Sequence, residues 1–293
     1  MLSAVVSSAR ERGEEAVVVT FWPHPRTVLQ QDAREFRILT SLEEKKALLA
    51  AAGIDRVEVL PFTREFAAMT AQEYLQLLRD KYDASLVVMG YDNRIGSDRL
   101  TIDALTGAFE SRKPSSLRSL SLPTFLRAVG PLPFTWPRAA MVSEDSNAPV
   151  ISSTKIRKAL TEGRVEEANG MLGYRYGLYG AVVAGNQLGR ALGFPTANMQ
   201  LYEPLKLVPA NGVYAVEAEV LGTTYKGMCN IGMRPTVGGA SRTIETHILD
   251  FDQDIYGLPL RIRFLRRIRD ERKFPSLEAL REQLTLDALK CKK

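Results

Sequence analysis

Cysteine and histidine are scarce in this chain, with two of each among 293 residues. Cys229 lies in the middle of an apolar stretch and Cys291 in the terminal tail. They are too few and too differently placed for a disulfide framework or a metal site, so both are expected as reduced thiols. Long hydrophobic runs are also missing. Nothing approaches the roughly eighteen apolar residues needed to span a bilayer, and Met1 to Gly13 lacks the apolar stretch of a secretion signal. The expected location is therefore the cytoplasm, with no membrane partner. Charge of one sign is in only modest excess, at a net +5. The densest basic cluster, Arg261, Arg263, Arg266, Arg267 and Arg269, partly alternates with Ile262, Phe264, Leu265 and Ile268, as a strand with one solvated face does. A concentrated basic face with stacking aromatics is lacking, which argues against a nucleic-acid partner. Small anionic ligands such as nucleotide phosphates account for the excess equally well.

What is present is enough chain for two domains and a hydrophobic content of 45%, normal for globular proteins. From Ala16 to Asp80 buried-type strands alternate with helices, the pattern of an α/β domain with a parallel sheet. Val17 to Phe21 is a β-branched run that stops at Trp22-Pro23-His24-Pro25, where two prolines forbid a continuing ladder. Ser41 with Glu44 has the capping-box spacing, Val57 to Leu60 is the next strand, Thr70 to Arg79 a second helix, and Leu86 to Gly90 a third strand ending in glycine. A parallel sheet places its binding crevice at such strand ends. Residues 107–138 hold Pro114, Pro123, Pro131, Pro133 and Pro137 with no sustained periodicity and read poorly as a folded core element. Ile151 to Thr154 leads into a helix with Ile156 and Leu160, then a turn at Gly163 and a second helix with Val165, Ala168 and Leu172, together expected to form the hinge between two domains.

From Gly177 the period shifts to two, with strands expected at 178–184, 213–220, 224–231, 243–250 and 259–267, which points to a closed barrel. The chain ends in a helix capped by Ser276, with Leu277, Leu280 and Leu284 along one face.

The segment from Gly185 to Asn198, GNQLGRALGFPTAN, carries the most chemistry. Gly185, Gly189 and Gly193 recur every four residues and let backbone N–H groups approach a phosphate chain. Thr196 and Asn198 are two apart, so on an extended segment their oxygens face one way and suit a hard cation such as Mg²⁺ carried in with ATP. The other reading of the glycines alone is a glycine-rich barrel turn with a polar cap.

Gly-Arg-x-Leu-Gly-Phe-Pro-Thr-Ala-Asn closely resembles the signature of the riboflavin kinase family. The resemblance continues through Asn211 to Tyr214, Asn230 to Thr236, Glu245 to Phe251, Ile255 to Gly257 and Glu271 to Phe274. It implies a six-stranded barrel with ATP-Mg²⁺ and riboflavin on opposite sides of a loop-covered site. Phosphorylating an alcohol needs a base near the hydroxyl, a cation, and donors that hold the γ-phosphate in line. The resemblance assigns the base to Glu245, which shares a strand face with His247 and Leu249. By spacing alone, a surface glutamate on an edge strand serves equally well. The resemblance adds Arg190 to the phosphate site. His247 reads as a hydrogen-bonded structural residue. The flavin ring wants apolar walls and a few polar edge contacts, expected from the Arg269 to Phe274 loop through Arg269, Glu271 and Phe274.

Residues 17–157 resemble the FMN adenylyltransferase domain that bacteria commonly fuse ahead of this kinase. Thr20 to Arg26, with His24, is similar to the family's Phe-x-Pro-His-Pro segment, and Gly90 to Gly96, with Asp92 and Arg94, to its Gly-x-Asp-x-x-Phe-Gly segment. Ile151 to Arg157 is similar to its Ile-Ser-Ser-Thr-x-Ile-Arg segment, in which Ser152, Ser153, Thr154 and Arg157 sit at a helix start suited to a triphosphate. The family's His-x-Gly-His segment, whose histidines stabilise the α-phosphate, has no counterpart in the chain. Losing such donors costs on the order of a hundredfold in rate.

The resulting expectation is a bifunctional riboflavin kinase/FMN adenylyltransferase architecture. A Rossmann-like, incomplete nucleotidyltransferase domain spans 1–158 (atypical over 107–138), a helical connector 159–176, and a riboflavin kinase barrel with a C-terminal helix 177–293. The expected activity is a kinase that makes FMN from riboflavin and ATP, with the adenylyltransferase lost. The alternatives are a fully bifunctional enzyme that goes on to FAD and a non-catalytic flavin-binding protein, against which Thr196, Asn198 and Glu245 together argue. Oligomeric state is not legible.

Overall fold

The computed structural model describes residues 2–29, 36–88, 94–101, 151–185, 188–236 and 239–292, and the backbone of 125–129 and 133–137. Contacts divide the chain into two compact units, Met1–Phe36 with Leu42–Ala148 and Arg37–Ser41 with Pro149–Lys293.

The first unit runs α1 (Leu2–Arg12), β1 (Val17–Trp22), α2 (Pro25–Leu29), α3 (Leu42–Ala51), β2 (Arg56–Pro61), α4 (Arg64–Ala67), α5 (Ala71–Tyr82), β3 (Phe125–Val129) and β4 (Pro133–Pro137). Strands β1 and β2 pair in parallel, from Val17 opposite Arg56 to Trp22 opposite Pro61. Successive side chains of a strand point to opposite faces, and both faces of this pair are used. Val18 and Val57 pack with Ala9 of α1 and Leu49 of α3, while Val19 packs with Ala71, Leu75 and Leu78 of α5. Helix α5 begins with a capping box in which Thr70 Oγ1 accepts from Glu73 N–H and the Glu73 carboxylate accepts from Thr70 N–H.

Two stretches read from the sequence are only partly described. Leu86 to Val88 lies outside the parallel pair, and the remainder of the expected strand, Met89 and Gly90, lies outside the described residues. Within the proline-rich stretch, β3 and β4 form an antiparallel hairpin with Val129 opposite Pro133 and Phe125 opposite Pro137. The two prolines stand at the ends of β4, where a missing N–H disturbs a ladder least.

The second unit contains α6 (Ser153–Thr161), α7 (Val165–Leu172), β5 (Gly177–Val183), α8 (Leu188–Ala191), β6 (Ala197–Leu201), β7 (Gly212–Val220), β8 (Thr223–Thr236), β9 (Gly239–Ile248), β10 (Pro259–Arg269) and α9 (Leu277–Lys292). Six strands close into a barrel in the order β10-β5-β6-β9-β8-β7, every pair antiparallel. The sixth strand, β6, is absent from the period-two reading because it is short and directly follows Pro195-Thr196. Alternate residues fill the interior, among them Leu178, Tyr214, Val216, Ile231, Ile262 and Phe264, all with 1% exposure or less. Each such side chain contributes about 1.5–3 kcal/mol on burial.

The helical pair α6–α7 joins this same core through Ile156, Leu160, Val165 and Ala168. Asn169 fastens it to the barrel, donating to the Phe264 carbonyl (2.9 Å) and accepting from Tyr176 N–H (2.7 Å). By its contacts, then, the pair expected as a hinge is part of the second unit. On the outside of the barrel, Val213, Ala215, Met228 and Leu249 are covered by Leu284, Ala288 and Cys291 of α9. The helix is capped by Ser276 Oγ, which accepts from Ala279 N–H (3.2 Å); of the expected face Leu284 packs on the barrel and Leu280 is half-buried, whereas Leu277 is 54% exposed, and Asp287 on the packing side is fully buried.

Candidate active site

Strand β9 lies between β6 and β8 in the closed barrel, so Glu245 is on an interior strand of the sheet and not at an edge. Ladder register places Asn198 of β6 opposite Glu245 on one side and Asn230 of β8 opposite it on the other. Directly opposed residues share a face, so two amides flank the carboxylate on the outer surface of the barrel. The same face turns apolar toward Leu249, where α9 covers it. This resolves why a glutamate and a buried leucine alternate together: one end of the strand face is capped by a helix and the other is open. Glu245 is 24% exposed, and its Oε1 accepts from Arg234 Nη2 at 2.8 Å.

The expected phosphate segment borders this row. A Cβ at Gly185 would stand 2.1 Å from Asn198 Nδ2, so only glycine leaves room for that amide. Past α8 the chain turns back on itself, with Leu192 and Phe194 N–H both donating to the Gly189 carbonyl (3.1 and 2.8 Å) and Gly193 adopting φ +83. Thr196 Cγ2 lies 3.4 Å from the Cβ position of Gly189, and Arg190 is exposed. Gly185, Gly189, Thr196 and Asn198 therefore lie along one edge of the Glu245 row. His247 meets the Pro195 carbonyl through Nδ1 (2.8 Å) and the Phe194 ring edge-on (5.3 Å).

On the other side, Glu271 Oε1 sits 2.3 Å from where a Cβ at Gly232 would be, and Asn230 Nδ2 lies 3.3 Å from the same point. Asn211 Nδ2 also donates to Glu271 (3.4 Å). Arg269 does not project into solvent: its Nε donates to Asp287 Oδ2 (2.7 Å), and its guanidinium lies 5.5 Å from the Phe274 ring centroid. Arg272, Phe274, Pro275, Ala279, Gln283 and Leu286 line a pocket of about 360 Å³ between this loop and α9.

The arginine cluster on β10 is largely engaged within the chain. Arg261 and Arg263 face Glu219 (4.0 and 2.6 Å), Arg266 donates to the Lys290 carbonyl, and Arg267 pairs with Asp270 (3.1 Å).

In the first unit a cavity of about 1190 Å³ is lined by Val17, Val19 and Phe21 of β1, by Leu86 to Val88 and by Arg94. His24 Nδ1 accepts from Arg26 N–H (3.2 Å), and its ring packs 4.7 Å from Phe36. Asp92 lies outside the described residues. In the second unit Ser152 is the N-cap of α6, accepting from Lys155 N–H (3.3 Å), with Ser153 and Thr154 exposed on its first turn and Arg157 donating to the Arg37 carbonyl.

Reasoning from sequence missed Gln283 and Asp287, and gave Asn230 and Arg234 no role although both lie in the segment Asn230 to Thr236 that resembles the family. Asp287 did leave a signal, an acid within the helical spacing 284, 287, 288, 291 of otherwise apolar residues. For Arg234 the segment was legible but not the role, because which strand faces it depends on barrel closure.

The riboflavin kinase family model matches residues 172–293 and the FAD synthetase model residues 1–119. The chain is 35% identical to the bifunctional riboflavin kinase/FMN adenylyltransferase of Listeria monocytogenes, covering 97% of this chain and 85% of that protein. Against the protein of the same name from Bacillus subtilis it is 34% identical, covering 95% and 82%. A solved structure from Streptococcus pneumoniae, named a macrolide-efflux protein, superposes with a TM-score of 0.81 at 32% identity, covering 100% of this chain and 88% of that one. Among the described residues no helix is long and apolar enough to cross a membrane. The expectation that the adenylyltransferase had been lost finds no support, since the FAD synthetase model matches and the relatives named for both activities align across nearly the whole chain. Matched in both halves and sharing about a third of its residues along its length, the chain belongs to the bifunctional riboflavin kinase/FMN adenylyltransferase family.

Proposed function

We propose that the barrel transfers the γ-phosphate of ATP to the 5′-hydroxyl of riboflavin, and that the first unit joins the adenylyl group of a second ATP to the resulting FMN, giving FAD and releasing pyrophosphate. The kinase reading rests on one observation above all: Glu245 stands between Asn198 and Asn230, with Gly185 leaving space beside them. Glu245 accepts the proton of the 5′-hydroxyl, the freed oxygen attacks the γ-phosphorus, the bond to the bridging oxygen breaks, and ADP leaves. Backbone N–H groups at Gly185, Gly189 and Gly193, with Arg190, hold the phosphates. Thr196 and Asn198 present neutral oxygens suited to Mg²⁺ that arrives already coordinated by ATP, and the Asn198 amide pressed against Gly185 fits that task. Such a cation, when bound, neutralises charge on the transferring phosphate. The flavin ring is assigned to the loop carrying Arg269, Glu271 and Phe274, on the face where Glu271 lies against Gly232 and Asn230, beside the Glu245 row.

The adenylyl step is assigned to the cavity of the first unit, which adjoins a parallel strand pair, the kind of place where such sheets bind nucleotides. His24 and Arg94 stay with this step; separately, the motif at the start of α6 in the second unit supports anion binding by Ser152, Ser153, Thr154 and Arg157. ATP, riboflavin and FMN are then the partners, in the cytoplasm where ATP is supplied.

The test is incubation of purified protein with riboflavin, ATP and Mg²⁺, chromatographic separation of riboflavin, FMN and FAD, and a parallel Glu245→Gln sample supplied with FMN. Formation of both products, with FMN lost but FAD from added FMN kept in the variant, is the expected result. FMN without FAD restricts the chain to the kinase, and neither product returns it to a flavin-binding role.

A further inference from the structure

Asp287 is the one acidic side chain fully buried among the described residues, and nothing in the reaction uses it directly. Both of its oxygens are satisfied: Oδ2 accepts from Arg269 Nε and Oδ1 from Gln283 Nε2, each at 2.7 Å. Gln283 in turn accepts from Arg272 through Oε1. The guanidinium groups of Arg269 and Arg272 lie 5.5 and 4.8 Å from the Phe274 ring centroid. These contacts close a ring, Asp287 to Arg269 to Phe274 to Arg272 to Gln283 and back, that ties one helical turn of α9 to the loop after β10.

A buried carboxylate is tolerated only when paired and hydrogen-bonded, and an apolar residue at 287 would fit the surrounding cluster of Val213, Leu284, Ala288 and Cys291 with less cost. Helix docking alone therefore does not call for an acid there. What the acid supplies is direction: it fixes the Arg269 fork, which holds the Phe274 ring and anchors the start of the segment carrying Glu271 to its place over Gly232.

We propose that Asp287 and Gln283 are positioning residues for the flavin side of the kinase site, setting riboflavin affinity by holding the Arg269–Phe274 loop without touching substrate. This rests on the assignment of that loop to the flavin. The loop stands on the opposite side of the Glu245 row from the glycine segment assigned to ATP, so disturbing it is expected to act on one substrate alone.

The experiment compares Asp287→Asn and Gln283→Ala with the parent chain in three readouts: KM for riboflavin, KM for ATP with kcat, and the rate at which the buried Cys291 thiol reacts with a thiol reagent. The last reports whether α9 stays docked. The expected result is a riboflavin KM raised about tenfold or more, with ATP KM, kcat and Cys291 protection unchanged. An unchanged riboflavin KM in a variant with Cys291 protected overturns the proposal, as does a parallel rise in both KM values. If Asp287→Asn releases Cys291, the milder Gln283→Ala decides by the same criteria. Should the parent chain make no FMN, the kinase reading fails separately, and riboflavin binding followed by its fluorescence tests the clasp directly: weaker binding in both variants supports it, equal binding overturns it.

Discussion

Arg234 Nη2 and Glu245 Oε1 lie 2.8 Å apart on neighbouring strands, an ion pair left partly open to solvent, at 33% and 24% side-chain exposure. Such a pair adds only about 0–1 kcal/mol to stability, so its effect is read in activity. Glu245→Gln keeps the shape of the carboxylate and removes its capacity to take a proton. FMN formation is expected to fall about a hundredfold or more, with the thermal midpoint nearly unchanged. Arg234→Met is expected to lower kcat less severely, because it loosens the base without removing it. Steady-state kinetics beside thermal unfolding check both.

Gly185→Ala places a methyl group where Asn198 Nδ2 now sits, 2.1 Å away. The obstacle is a side chain, so the fold is expected to survive while Asn198 moves out of line with Thr196. The expected outcome is a KM for ATP raised about tenfold, partly recovered at high Mg²⁺, with riboflavin KM unaltered. Equal KM values for ATP in variant and parent would count against Asn198 at the phosphate site.

The Asp55 carboxyl is held down to about 2 from its ordinary 3.8, first by the hydrogen bonds from Arg10 (2.7 and 2.8 Å) and then by Ala16 N–H (2.8 Å). A carboxyl whose folded value is depressed stabilises above its unfolded value, and that contribution disappears as pH falls through 3.8 toward about 2. Asp55→Asn is therefore expected to destabilise the first unit at neutral pH and to converge with the parent chain near pH 2. Both tryptophans, Trp22 and Trp136, belong to the first unit, so tryptophan fluorescence during unfolding reports on it selectively.

Burial pushes the Cys229 thiol up to about 12 and the Cys291 thiol up to about 11. Neither is expected to react with a thiol reagent at pH 8 in the folded protein, and both are expected to react on unfolding. Cys291, near the end of α9, is expected to open first, since helix ends fray before barrel cores. Time-resolved labelling of the two positions separates the rates.

By itself the sequence determined the division into an α/β half and a barrel, because the hydrophobic period changes from runs and helical spacing to strict alternation near Gly177. It also made the glycine segment and the Thr196–Asn198 pair legible, since these are local and carried by consecutive residues, whereas Glu245 was singled out only by the resemblance to the riboflavin kinase family. Barrel closure was decided only in three dimensions. Strand β6 is five residues long behind a proline, and its partners, β5 and β9, are set by contacts far apart in the chain. From that closure follow the amides on either side of Glu245 and its meeting with Arg234, none of which spacing along one strand can specify. The role of Asp287 is tertiary for the same reason. An acid on an apolar helix face is visible in the sequence, but the arginine that makes its burial tolerable comes from the end of strand β10, and only packing brings the two to 2.7 Å.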